Sequence, residues 1–206
     1  MTVAGSNGAG AQTCRSNSNA MASGAPHSPA LIEAVITFLE MREPPALPEL
    51  RAPLGKLALM RAEHPSLAFY KFLYDEVGQG YHWTERKVLS DRELKAIIKD
   101  DQVEIHVLYV GGVPAGFSEL DRRQPPEIEL SYFGLMPQFI GHRLGGYFLN
   151  WAIRHAWACH PSRLWVHTNT LDHPRALPLY QRLGFAPYER RTVYLDPDPN
   201  PPRDPD

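Results

Sequence analysis

The chain has 206 residues, of which 43% are apolar and 21% are charged. These values fit one globular domain with terminal tails and exclude a wholly disordered, collagenous or coiled-coil chain. With 21 basic and 23 acidic residues the formal net charge is -2, so no overall positive field would recruit nucleic acid or an anionic membrane.

Cysteine content and hydropathy indicate the compartment. Cys14 and Cys159 are the only cysteines, which is too few for a disulfide framework and favours a reducing environment. No segment approaches the roughly 18 apolar residues of a membrane span, and the N-terminus lacks the basic start and apolar run of a signal peptide. We therefore expect a cytoplasmic protein without a membrane partner.

Both ends of the chain differ in composition from the middle. Residues 1–26 are mostly Ala, Gly, Ser and Asn. They cannot bury enough surface to offset the entropy of ordering, so a disordered tail is predicted. Met21 is an alternative start. Residues 196–206 are almost entirely Pro and Asp and are predicted to be disordered as well. One folded domain is expected over residues 30–195.

The first half of this domain combines β and helical patterns. Ser66 is a candidate N-cap for a helix that ends at Gly78, and Ser90 with Glu93 forms a capping box for a second helix. The pair Gly111-Gly112 predicts a hairpin turn. Strands are expected on both sides of these signals, over residues 34–41, 57–61, 103–110, 113–120 and 127–135.

The second half alternates between helix and strand. Helical periodicity over residues 144–158 predicts an amphipathic helix, and residues 164–168 predict a short strand. Asp172 is a candidate N-cap for a last helix before Gly184, with a final strand over residues 188–195. The predicted fold is α/β, with a mixed central sheet and helices on both faces.

The segment between strand 127–135 and helix 144–158 is the best candidate for binding an anion. It reads Leu135-Met-Pro-Gln-Phe-Ile-Gly-His-Arg-Leu-Gly-Gly146, and such a loop directs backbone N–H groups and a positive helix end at one point. The glycines alone are equally typical of an ordinary connection. Neither a Gly-Lys-Ser/Thr sequence nor a Gly-x-Gly-x-x-Gly sequence occurs, which excludes those two nucleotide loops.

Two motifs together resemble the GNAT N-acetyltransferase superfamily. Gln138-Phe-Ile-Gly141-His-Arg143 is similar to its cofactor loop, with Arg143 in place of a small residue, and Ala176-Leu-Pro-Leu-Tyr180-Gln-Arg-Leu-Gly184-Phe185 is similar to its C-terminal motif, with His173 where Asn is usual. The resemblance implies one GNAT-like domain that uses acetyl-coenzyme A as cosubstrate. The residues that it implies for cofactor binding are Leu135, Gln138, Phe139, Ile140, Gly141, His142, Arg143, Leu144, Gly145, Gly146 and Tyr180.

The resemblance also implies that Tyr180 protonates the departing thiolate; without it, a core tyrosine would be the ordinary interpretation. Glu129 is the candidate base, because strand alternation predicts Glu129, Phe133 and Leu135 on one face. A solvated edge glutamate explains Glu129 equally well, and Glu127 is the second choice. Trp83 and its neighbours are either an acceptor wall or core aromatics. No metal is expected, since His167 and His173 have no recognised ligand spacing.

The function predicted from these residues is transfer of an acetyl group to a primary amine by direct attack. The acceptor is a small molecule or a peptide, and its identity stays open. The alternative is a non-catalytic acyl-coenzyme A-binding or regulatory module. Nucleic acid is not an expected partner, and the resemblance is compatible with a homodimer.

Overall fold

The structure, a computed structural model, describes residues 31–46, 48–53 and 55–195. The two predicted tails lie outside these residues. Within them, seven strands form one sheet: β1 (Ile32–Met41), β2 (Leu57–Arg61), β3 (Val103–Val110), β4 (Val113–Asp121), β5 (Glu127–Leu135), β6 (Arg163–Asn169) and β7 (Ala186–Leu195). Their spatial order is β2-β3-β4-β5-β6-β1-β7. Only β5 and β6 pair in parallel, so the sheet is mixed as predicted.

Helices cover both faces of the sheet, which confirms the predicted architecture. The four helices are α1 (Leu67–Gly78), α2 (Asp91–Ile98), α3 (Leu144–Trp157) and α4 (Ala176–Arg182). On one face, α1 and α2 bury an apolar cluster against β3 and β4 that includes Tyr70 and Phe117. On the other face, α3 and α4 bury a second cluster that includes Leu149 and Leu164. None of the helices in the described residues is long and apolar enough to cross a membrane.

The capping predictions have different outcomes. Ser66 accepts a hydrogen bond from the backbone N–H of Phe69 at 3.2 Å, and Ser90 and Glu93 form the reciprocal capping box. Asp172, however, does not cap α4, because the helix begins after Arg175 without a side-chain cap. The Asp172 carboxylate instead accepts hydrogen bonds from the Thr168 hydroxyl at 2.7 Å and the backbone N–H of Asn169 at 2.9 Å. This prediction was wrong, and the carboxylate fixes the turn after β6.

Gly78 is the last residue of α1, as predicted. The residue after it, Gln79, has φ -61 and is extended, so the helix does not end in a left-handed glycine. A Cβ atom on Gly78 would lie 2.8 Å from Cε3 of Trp83. The glycine is needed because an indole ring packs directly on the helix end.

Candidate active site

A cleft opens where two neighbouring strands stop pairing. β5 and β6 pair only from Glu127 to Glu129, opposite Arg163 to Trp165. Beyond that point a cavity of about 570 Å³ extends along the open edge of β5, and its walls include residues 130–135 of that strand. The backbone groups on this edge of β5 are available to a ligand, because β4 pairs with the opposite edge only.

A β-bulge in β5 shapes this edge. Tyr132 pairs with Glu119 of β4, but Leu130 pairs with the next residue, Leu120, so Ser131 is the extra residue. The bulge reverses the alternation of side chains after it. The Phe133 ring therefore lies 5.2 Å from Phe148 of α3, whereas Glu129 lies on the other face. The prediction that Glu129 shares a face with Phe133 and Leu135 was wrong for this reason.

The loop after β5 forms one end of the cleft. Gly141 and Arg143 both have left-handed backbones, with φ 91 and φ 61, and α3 begins directly after Arg143. A Cβ atom on Gly146 would meet no atom within 4 Å, so space lies open beside the first turn of α3. This helix start, which carries unpaired N–H groups, adjoins the cavity.

The structure divides the predicted cofactor-binding residues into two groups. Those that line the cavity are Leu135, Ile140, Gly141, Arg143, Gly145, Gly146 and Tyr180. Gln138, Phe139, His142 and Leu144 do not line it. Leu144 is buried in the core and Phe139 packs against it, while His142 is exposed to solvent.

Tyr180 is a buried residue of α4 that also borders the cleft. Its side chain is 6% exposed, and its ring meets those of Phe133 and Phe185 edge-on at 6.5 and 5.7 Å. No other described residue is hydrogen-bonded to its hydroxyl. Burial, with a smaller effect of the Asp172 carboxylate, raises the pKa of Tyr180. The phenol therefore stays protonated and holds a proton that it can donate into the cleft.

His167 on β6 separates Glu129 from the cleft. Nδ1 of His167 lies 3.4 Å from Oε1 of Glu129, and His167 lines the cavity whereas Glu129 does not. The Glu129 carboxylate raises the pKa of His167, and burial opposes the shift. In the sequence, His167 stands out only as a possible metal ligand, without a recognised ligand spacing. Because side chains alternate along β6, His167 lies on the opposite face from the buried Val166. The parallel pairing of β5 with β6 puts Glu129 on the same face as His167.

The remaining wall carries acidic and aromatic side chains. Trp83 lines the cavity, and its indole N–H points to Oδ1 of Asp172 at 3.4 Å. The Tyr74 hydroxyl donates to Oε2 of Glu85, another lining residue, at 3.2 Å. Tyr81 and His173, also in the wall, have rings 6.2 Å apart. Trp83 therefore fits both interpretations, the acceptor wall and the core aromatic, because it lines the cavity and also packs against the apolar cluster around α1.

Three arginines also line the cleft: Arg143 at the start of α3, and Arg175 and Arg182 at the two ends of α4. Carboxylates enter instead from the turn after β6, with Asp172, and from the segment after α1, with Glu85. The cavity thus offers positive charge next to the loop and α4, and negative charge next to β6. Such a surface can hold an anionic ligand and a cationic one together.

A second cluster of titratable residues lies away from the cleft, beneath α3. It joins Glu104, His106 and His155, whose potential ligand atoms lie within 4.8 Å of one another. Arg122 is 2.8 Å and Arg61 3.9 Å from Oε1 of Glu104. These two positive charges already neutralise the carboxylate, so the arrangement fits an ion-pair network better than a cation site.

Comparisons with known proteins agree with this geometry. The model of the acetyltransferase (GNAT) family matches residues 68–185, which is more than half of the chain. The chain belongs to the GNAT family. The matched region contains α1 except its first residue, the bulged β5, the loop, α3 and Tyr180 of this GNAT protein. A comparison of the sequence with curated proteins finds no match.

Solved structures share the fold at low identity. A GCN5-related N-acetyltransferase from Kribbella flavida aligns with TM-score 0.56 at 16% identity, over 82% of this chain and 60% of its own. A tandem GNAT protein from the clavulanic acid biosynthesis pathway gives 0.55 at 17%, over 84% and 55%. A protein of unknown function from Staphylococcus epidermidis gives 0.51 at 16%, over 79% and 61%. The chain thus spans less than two thirds of each of these structures.

Proposed function

We propose that this GNAT protein transfers an acetyl group from acetyl-coenzyme A to a primary amine. The observation that carries the proposal is the open edge of β5 beside the left-handed loop and the start of α3. The open strand edge offers donors and acceptors to the amide groups of pantetheine. The loop N–H groups and the positive end of the α3 dipole, with Arg143 beside them, suit a pyrophosphate.

Direct attack of the amine on the thioester needs a group that supplies a proton to sulfur. Tyr180 lies in the cavity wall with a protonated phenol, so we assign this role to it. To a backbone N–H near Leu135, on the open edge, we assign the hydrogen bond to the thioester oxygen as charge develops there. The amine, either a small molecule or a peptide end, enters past Trp83 and Glu85. We further propose a cytoplasmic location.

Paired glycine variants test the cofactor site. Gly141 and Gly112 have nearly the same φ, 91 and 92, and a Cβ atom would meet nothing within 4 Å at either. Gly141→Asp and Gly112→Asp should therefore have similar backbone strain. Only Gly141→Asp places a carboxylate at the loop, so calorimetry should show weakened acetyl-coenzyme A binding for it alone. Equal affinities would remove the loop from the proposal.

Thiol release tests whether binding leads to transfer. Mass spectrometry of the purified protein would detect retained coenzyme A, and a thiol-release assay over a panel of amines would detect turnover. Acceleration of thiol release by at least one amine is the expected result. Tight binding of acetyl-coenzyme A without amine-dependent release would instead identify a non-catalytic acyl-coenzyme A-binding module.

A further inference from the structure

His167 is the member of the Glu129 pair that reaches the cleft. Its Nδ1 atom is buried and lies 3.4 Å from Oε1 of Glu129, an ion-pair distance at which the two groups are not aligned as a hydrogen bond, and no other described residue is hydrogen-bonded to it. The ring nevertheless forms part of the cavity wall. Since Nδ1 is buried beside the carboxylate, Nε2 is the nitrogen that remains available to a ligand in the cleft.

We propose that His167 is the general base that deprotonates the acceptor amine and that Glu129, whose carboxylate lies beside Nδ1, is a positioning residue. This inference rests on the proposed acetyl transfer. It changes the role predicted for Glu129, because the carboxylate acts through the imidazole instead of touching the amine. A carboxylate beside Nδ1 favours the tautomer that carries its proton on Nδ1 and leaves a free lone pair on Nε2.

The surroundings of His167 favour a base. The charged groups that act on it are Glu129 from β5, Glu85 from the segment after α1, and Asp172 from the turn after β6. All three raise the pKa of the imidazole, Glu129 most strongly, while burial lowers it. The rings of Phe38 and Trp165 pack around it at 5.8 and 6.3 Å. An amine that enters as its ammonium ion also meets the Glu85 and Asp172 carboxylates.

The proton balance of the step is complete with these groups. The ammonium nitrogen gives one proton to Nε2 of His167, and the neutral amine attacks the thioester carbonyl carbon. The nitrogen–carbon bond forms, and the carbon–sulfur bond breaks with its electron pair left on sulfur. Sulfur takes the hydroxyl proton of Tyr180. The second nitrogen proton passes to water, which also returns a proton to Tyr180, and His167 releases its proton to solvent.

The first test measures thiol release against pH with an amine that the wild type acetylates. His167→Gln should lower turnover about 10²-fold near neutral pH and recover in part toward the pKa of the amine itself. Glu129→Gln should move the acidic limb of kcat/KM to lower pH, since the group that raises the pKa of His167 is lost, and Glu129→Asp should restore part of the shift. Wild-type turnover in His167→Gln would overturn the proposal.

The same profiles separate His167 from the two carboxylates. If Glu129 were itself the base, Glu129→Gln would abolish the acidic limb and His167→Gln would retain it, which would overturn the assignment. Glu127 is held by Arg163 at 3.1 Å, so Glu127→Gln should leave the profile unchanged. A lost limb in Glu127→Gln would also overturn the assignment.

A second measurement does not depend on activity. In an NMR titration of the ligand-free protein, the His167 ring should titrate above about 6.5, the ordinary histidine value, and Glu129→Gln should lower that midpoint. A midpoint that Glu129→Gln does not move would overturn the pairing. Calorimetry on the wild type keeps the two proposals distinct: absence of acetyl-coenzyme A binding would reject the acetyltransferase function, whereas normal binding and release with an unaffected His167→Gln would reject only the base.

Discussion

Two carboxylate–imidazole clusters lie on opposite faces of the sheet and have different surroundings. Beneath α3, Glu104 meets His155 at 2.7 Å and His106 at 3.7 Å, with Arg122 also on the carboxylate. Beside the cleft, Glu129 meets His167 at 3.4 Å, and the other charged groups that act on this histidine are carboxylates. The same residue types thus form an enclosed ion-pair network on one face of the sheet. On the other face, the imidazole borders the cleft and has carboxylates around it.

The two histidines consequently differ in the direction of their pKa shifts. Burial, together with His155, lowers the pKa of His106 to about 4, whereas Glu129 raises the pKa of His167. The pKa of Glu104 falls to about 2, because His155 donates a hydrogen bond to it and Arg122 adds its charge. We therefore expect changes beneath α3 to alter stability, and changes at the cleft to alter turnover.

The largest effect is expected from Tyr180→Phe at the cleft. The substitution keeps the ring contacts with Phe133 and Phe185 but removes the proton donor, so turnover should fall about 10²-fold or more. Stability should change little, because no described residue is hydrogen-bonded to the hydroxyl. On one preparation, thiol release would measure turnover, calorimetry would measure the affinity for acetyl-coenzyme A, and thermal melting would measure stability.

Tyr70→Phe is the matched control for this substitution. The Tyr70 hydroxyl is buried, donates to Oε2 of Glu119 at 2.6 Å and accepts from Nε of Arg86 at 3.2 Å. Its loss leaves buried charged groups short of a partner and should cost about 1–3 kcal/mol of stability, with turnover retained. If Tyr180→Phe behaved like this control, Tyr180 would be a core residue and would leave the catalytic assignment.

The sequence predicted most of this fold because its signals are local. The capping box at Ser90, the glycine pair at the hairpin and the periodicity of α3 each act within a few residues, and each predicted element is present. The bulge at Ser131 has no such signal, since regular alternation describes β5 equally well until the pairing with β4 is known. Whether Glu129 shares a face with Phe133 and Leu135 depended on that long-range pairing.

The cluster beneath α3 should make the stability of the protein depend on pH. His106 is neutral in the folded protein, whereas the unfolded chain binds a proton below about pH 6.5. The free energy of unfolding should therefore fall as the pH drops from about 6.5 to about 4, by at most about 3 kcal/mol from this residue. Glu104 contributes below that window, since its stabilisation is lost only as the pH falls from about 4.5 toward 2.

Urea denaturation at several pH values between 7 and 4 would measure this dependence in the wild type and in His106→Gln. The variant should be less stable at pH 7, because a buried ring that packs on Trp151 is lost, but its stability should depend less on pH in that window. An unchanged slope would show that His106 does not titrate as this cluster requires.

The smallest effect is expected from Glu129→Gln on stability, and its sign is opposite to that of His106. Because the folded-state pKa of His167 is raised, the pair stabilises the protein fully below about pH 6.5 and loses this contribution as the pH rises through the raised pKa. The side chains are 37% and 22% exposed, so solvent screening should limit the contribution to less than about 1 kcal/mol. In urea denaturation the variant should differ most from the wild type near pH 5.5 and approach it by pH 9. A difference that grows with pH would mean that Glu129 does not hold a protonated His167, and the contrast between the two clusters would be lost.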